Sequence, residues 1–187
     1  MQADVSMGDS GRATLERSQV AVWLGRSIGA WTVRIVGGGI LGGRWQRNGS
    51  DANVSPGWIA GATLARTWLA ADGWRPFLRS SFALAGSGHG LSDGSSLLAF
   101  DLRAGGDVGW RLPGGFELFA VARAFGGPIF WSRPGLAQDT GTDRWHIQLG
   151  AGAAWTPPVA WSVRPSFFAE GVPLGERGIS AGVGFGF

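Results

Sequence analysis

The stretch Arg144-Trp145-His146-Ile147-Gln148-Leu149-Gly150-Ala151-Gly152-Ala153-Ala154-Trp155 alternates without a break. Its odd positions, Trp145, Ile147, Leu149, Ala151, Ala153 and Trp155, form a wholly apolar face. Its even positions begin polar, with Arg144, His146 and Gln148, and continue small, with Gly150, Gly152 and Ala154. A period of two belongs to a β-strand, whose successive side chains point to opposite faces. Trp145 and Trp155 are ten positions apart. That separation spans about 33 Å of extended chain, or about 25 Å of depth at a tilt near 40°. A lipid-facing band bounded by two aromatic girdles has this height.

The same pattern recurs on both sides. In residues 97–112, Leu98, Phe100, Leu102, Val108, Trp110 and Leu112 share one face, and Asp101, Arg103, Asp107 and Arg111 share the other. Residues 31–46 set Trp31, Val33, Ile35, Leu41 and Trp45 against Arg34 and Arg44. Residues 74–89 set Trp74, Leu78, Phe82 and Leu84 against Arg75, Arg79, Ser81 and His89. Residues 115–127 set Phe116, Leu118 and several Ala against Glu117, Arg123, Phe119 and Phe125. Residues 159–170 set Val159, Trp161, Val163 and Phe167 against Ser162, Arg164, Ser166 and Glu170. In residues 58–70, Arg66 shares parity with Trp58, Leu64 and Trp68, which suggests a bulge that resets the register. A soluble sandwich also alternates, with its apolar face buried and its charged face in water.

Composition narrows the class. The 187 residues are enough for one domain, a closed sheet of about eight strands with loops. They include 34 Gly and 11 Trp, with no Tyr and no Cys, so thiol chemistry and thiolate zinc sites are excluded. All basic residues are Arg. The net charge of +3 does not point to nucleic acid, because the Arg residues are scattered singly through apolar alternation rather than clustered. Residues 145–163 are the longest stretch without a charge, but Pro157-Pro158 would break a helix there, and two short strands fit better. The opening residues lack the basic and apolar regions of a signal peptide.

The last strand is the most specific. Ile179, Ala181, Val183, Phe185 and Phe187 alternate with Ser180, Gly182, Gly184 and Gly186. With its closing Phe187, this segment resembles the assembly signal of Gram-negative outer-membrane barrels. The resemblance covers residues 31–187 and extends to the small barrels typified by OmpX and the membrane domain of OmpA, and to Gly-rich outer-membrane barrels. It implies location in the outer membrane, contact with its lipid, and delivery by the barrel assembly machinery through the C-terminal strand, with Phe185 and Phe187 as the signal.

Connections of alternating length add a topology. Long ones are expected at 47–56, 90–96 and 128–141, and short ones at 71–73, 113–114 and 156–158, matching external loops and periplasmic turns. Counted from Trp31, these give an all-β, eight-stranded, antiparallel, up-and-down transmembrane barrel, with ten strands as the alternative. Residues 18–28 also alternate and are assigned to residues 18–187 as barrel; residues 1–17 are expected to be a loosely ordered leader.

Candidate motifs carry little chemistry. Residues 37–42 match the glycine fingerprint of dinucleotide sites, but no helix pattern follows to receive a pyrophosphate. Asn48-Gly49-Ser50 matches a glycosylation acceptor and reads as a turn. His89, Ser87, Ser92 and Asp93 permit a His–Ser–acid arrangement, yet geometry must come before any such role. The inward charges have a plainer use, because small barrels are filled by their own side chains. Asp101, Arg103, Asp107, Glu117, Arg123, Arg144, His146, Arg164 and Glu170 are expected to form a lumen network. Trp31, Trp45, Trp74, Trp110, Trp145, Trp155 and Trp161 are expected to form the aromatic girdles. No catalytic, metal or cofactor residue is assigned. The expectation is a monomeric, non-enzymatic envelope protein with a polar-plugged lumen, hollow only towards the Gly-rich half. A lipid-modifying enzyme, a narrow solute channel and a soluble lipocalin-like barrel are the alternatives.

Overall fold

The computed structural model describes residues 2–8, 11–47, 50–159 and 162–187. The strands are β1 Gln2–Met7, β2 Gly11–Ile28, β3 Trp31–Arg47, β4 Ser50–Leu69, β5 Phe77–Leu91 and β6 Ser96–Leu112. They continue as β7 Phe116–Gly126, β8 Pro128–Ser132, β9 Asp139–Asp143, β10 Ile147–Trp155, β11 Arg164–Leu174 and β12 Gly178–Gly186. A 3-10 turn, Pro113–Gly115, separates β6 from β7. The chain is all-β, in one twelve-stranded mixed sheet.

That sheet corrects the expected count of eight antiparallel strands. Two long strands are each interrupted: β7 and β8 break at Gly127, and β9 and β10 break across residues 144–146. Residues 2–7 and 11–17, set apart as a leader in the sequence reading, form β1 and the first half of β2, which pair with β9 and β3. Their charges, Asp4, Arg12, Glu16 and Arg17, obscure an alternation of Ala3, Val5, Met7, Ala13 and Leu15, all buried. Residues 18–28, the supernumerary segment, complete β2. Every pairing is antiparallel except β12 with β2, which is parallel and only three residue pairs long.

Followed strand by strand, the pairings return to their start by two routes. One passes β2, β3, β4, β5, β6, β7, β10, β11 and β12 and closes on β2, nine strands around. The other passes β1, β2, β3, β4, β5, β6, β8 and β9 and closes on β1, eight strands around. The eight-stranded end carries the connections 92–95 and 133–138, and the nine-stranded end carries 29–30, 70–76 and 156–163. The long connection expected at 47–56 does not exist, since β4 begins at Ser50, so the longer connections are not gathered at one end.

Side chains on the inner face meet across the circuit from strands that are not neighbours. Arg17 of β2 reaches Ser87 of β5, and Arg123 of β7 reaches Glu170 of β11. The apolar residues Val5, Ile129 and Trp131 of β1 and β8 are buried, while outside, large apolar side chains are exposed on every strand of the nine-stranded circuit, among them Val22, Val33, Leu64, Phe82, Leu102, Leu118, Leu149 and Ile179. Their polarity is the reverse of a water-soluble sandwich, where the apolar face is the covered one.

Trp58 and Trp68 on β4 are both exposed, as are Trp145 and Trp155 beside and on β10. Each pair is ten positions apart. Phe116, Trp155 and Phe167 stack in a row across β7, β10 and β11, with centroids 5.7 and 5.6 Å apart. The expected bulge at Arg66 is absent between Trp58 and Trp68 on the β3 side, where the register runs unbroken from Gly57 to Arg66. Arg66 therefore lies on the outer face, its guanidinium 3.9 Å from the Trp68 ring centroid and 5.3 Å from that of Trp31. Cation–π contact is what lets an arginine share a face with tryptophans.

Candidate functional site

The inside of the closed sheet collects almost all of the chain's paired charge. At its eight-stranded end lies an apolar layer containing Val5, Leu15, Ile40, Trp45, Leu97 and Trp131. Trp45 and Trp131 pack at 5.9 Å between centroids, and the Trp131 indole donates to Ser95 Oγ at 3.0 Å. Trp45 is thus a core residue, not part of an outer girdle. The β2–β3 ladder skips Leu41 and the β3–β4 ladder skips Leu41 and Gly42, and this shift turns its parity inward.

Below that layer is a charged one. Arg103 donates to Asp101 at 2.5 Å, to Glu176 at 2.6 Å and to Gln148 at 3.4 Å. Arg123 holds both oxygens of Glu170, at 2.5 and 2.7 Å, in a fork that matches guanidinium to carboxylate. Gln148 Oε1 accepts from Arg103 and from Arg123, joining the two groups. Nearer the nine-stranded end, Arg79 bridges Asp107 at 2.6 Å and Glu117 at 3.3 Å, and Arg111 also donates to Glu117 at 2.6 Å. Desolvated charges persist only when paired in this way.

Six of the nine expected network residues are therefore brought together: Asp101, Arg103, Asp107, Glu117, Arg123 and Glu170. Arg144, His146 and Arg164 are exposed and form no ion pair among the described residues. The reason for the first two is the break between β9 and β10, which interrupts the alternation that the sequence suggests. His146 instead meets the Phe125 carbonyl through Nδ1 at 3.3 Å. Arg164 opens β11 at the rim. Sequence reading set Arg34, Arg79 and Gln148 on the polar face but left them out of the network, and it passed over Arg17 and Glu176. Arg79 and Gln148 carry the right parity; Glu176 lies in a connection where no period exists to reveal it.

Aromatic side chains fill the Gly-rich half, which corrects the expectation of a hollow there. A β-carbon at Gly184 would collide with the Trp23 indole, and one at Gly182 would stand 2.7 Å from the Phe168 ring. Gly152 faces Phe119 at 2.6 Å and Gly109 faces Phe77 at 2.8 Å in the same sense. The Arg34 guanidinium lies over Trp23 at 4.7 Å, and that of Arg79 over Phe77 at 4.3 Å. These glycines do not leave space; each yields it to a large neighbour.

The expected girdle residues separate. Trp31, Trp110, Trp145 and Trp155 are exposed on the outer face. Trp74 is 91% exposed in the connection before β5 rather than on a strand. Trp161 lies outside the described residues, as do Asn48 and Gly49. Phe185 is half-buried beside β2 and pairs with Leu24, while Phe187 is exposed and its amide donates to the Gly25 carbonyl at 3.2 Å.

The His–Ser–acid arrangement does not assemble. Ser87 Oγ accepts from Arg17 at 3.0 Å. Asp93 accepts from the Ser95 hydroxyl and amide, at 2.5 and 2.9 Å, and Ser92 Oγ accepts from the Asn53 amide at 2.9 Å. Both ring nitrogens of the buried His89 lack a hydrogen-bond partner among the described residues. The same connection keeps the Asp93 carboxyl below the usual range, chiefly through the Ser95 hydroxyl. Among the described residues no three His, Asp or Glu side chains are arranged to hold a metal ion. Comparison with protein families, characterised proteins and solved structures finds no match.

Proposed function

We propose that this chain is a bacterial outer-membrane β-barrel of the non-enzymatic, structural kind, whose blocked interior holds the wall rigid and whose rim meets the cell's surroundings. The observation that carries the reading is the inverted polarity of the nine-stranded part of the closed sheet. Apolar side chains stand exposed outside, while Arg103, Arg123 and Arg79 pair with carboxylates inside. Exposed Trp pairs ten positions apart on β4 and around β10 match the depth of a lipid band, about 25 Å. A soluble lipocalin-like barrel would need the opposite arrangement. The His–Ser–acid arrangement of a lipid-modifying enzyme would need a hydroxyl or carboxylate on His89, which has neither among the described residues.

A solute channel would need continuous space. The stacked order of apolar layer, ion pairs and aromatic layer argues against it. Purified protein should fold only in detergent or lipid vesicles and should migrate differently on a gel before and after boiling. In planar bilayers it should give no steady conductance, and Arg103→Ala combined with Trp131→Ala should raise it. Folding in plain buffer would reject the membrane reading; a large steady conductance from the unaltered chain would reject the plug and favour the channel.

A further inference from the structure

The parallel contact of β12 with β2 spans only Trp23–Gly25 against Gly184–Gly186. Above it, no pairing joins residues 18–22 of β2 to residues 178–183 of β12 among the described residues. The wall resumes where the Gln2 amide donates to the Arg177 carbonyl at 2.8 Å. Two clefts flank this seam and share Gly178. One, of about 720 Å³, is mixed in polarity and lined by Arg17, Arg44, Asn53, Glu16 and Arg177 among others. The other, of about 740 Å³, is apolar and lined by Leu149, Ala151, Gly171, Pro173 and Ile179.

We infer that the two clefts are one site for a membrane lipid with a phosphate headgroup, the acyl chain in the apolar cleft and the phosphate between Arg44 and Arg177. The inference rests on the membrane reading. Three observations lead to it. Arg44 and Arg177 form no ion pair among the described residues, although Glu16 stands opposite Arg44 in register. Arg17 is turned inward to Ser87, so the cleft presents the guanidiniums of Arg44 and Arg177 against the single carboxylate of Glu16, a net attraction for an anion. The row Glu16–Arg44–Asn53 is also where the outer face changes from apolar to polar, the depth at which headgroups lie.

Gly171 supplies a clean probe of the apolar half. A β-carbon there meets nothing within 4 Å and its φ is unremarkable, so Gly171→Leu occupies the cleft without disturbing the wall. The experiment is native mass spectrometry of the folded protein, in a neutral detergent, titrated with dimyristoyl phosphatidylglycerol or the corresponding phosphatidylcholine. Saturable binding of the phosphatidylglycerol, at least tenfold tighter than the phosphatidylcholine, is expected. Arg44→Gln with Arg177→Gln should abolish the preference, Gly171→Leu should weaken both lipids, and millimolar inorganic phosphate should not displace the lipid. Equal binding of the two lipids, indifference to both sets of substitutions, or displacement by phosphate alone would overturn the site. Those results leave the membrane reading intact if the protein still needs detergent to fold, whereas a chain that folds in buffer alone removes both.

Discussion

The indole of Trp23 occupies the space that a β-carbon at Gly184 would need, and the two residues belong to the strands that close the sheet in parallel. Bulk on β2 is matched by its absence on β12. Gly184→Ala should therefore destabilise the folded protein by about 1–3 kcal/mol, the usual cost of overpacking. The double variant with Trp23→Leu should recover most of that loss. Urea titration in lipid vesicles measures both, and additive losses would break the proposed complementarity.

The two faces of β5 and β6 predict opposite tolerances. Ala104 is exposed on the outer face of β6, between Phe100 and Trp110, and Ala83 lies on the inner face beside Arg103. On the membrane reading, Ala104→Arg sets a charge against lipid and should cost about 2–4 kcal/mol near mid-depth. Ala83→Ser should cost less than about 1 kcal/mol. A reversible folding assay that ranks them the other way would show the faces are exchanged.

Arg123 and Glu170 are held in a two-bond fork inside the sheet. Removing one partner strands the other, so Glu170→Gln should cost up to about 3–5 kcal/mol. Replacing both, as Arg123→Met with Glu170→Met, should cost less than either single change. Equilibrium unfolding of the three variants decides between a structural pair and a passive one.

Asp93 lies in the connection between β5 and β6, where the Ser95 hydroxyl and amide favour its carboxylate. Its pKa is lowered in the folded state, so the contribution is full above the ordinary carboxyl pKa and is lost as pH falls through the lowered one. An NMR titration should place the Asp93 midpoint below about 3.9 and return it towards that value in Ser95→Ala. An unshifted midpoint in the unaltered chain would remove the hydrogen bond as its cause.

Strand parity was legible wherever one strand ran unbroken. The exposed faces of β6, β7 and β10 follow the alternation of Leu98 to Leu112, Phe116 to Ala124 and Ile147 to Trp155. It failed where backbone irregularity intervened. Trp45 turned inward past the shift at Leu41 and Gly42, and Arg144 and His146 fell in a break. Neither event has a residue signature that separates it from ordinary Gly-rich strand. The leader residues were misread for a different reason: charges on the outer face of β1 and β2 look like disorder until their partners β9 and β3 are known. The filling of the interior was hidden because Trp23, Phe119 and Phe168 sit far in sequence from the glycines they fill.

The wall has eight strands around at one end and nine at the other. Because girth grows in proportion to strand number, the second end is about an eighth wider. The narrower end begins at the row of Glu16 and Arg44, where the outer face turns polar, so on the membrane reading the taper stands clear of the lipid and only the nine-stranded girth crosses it.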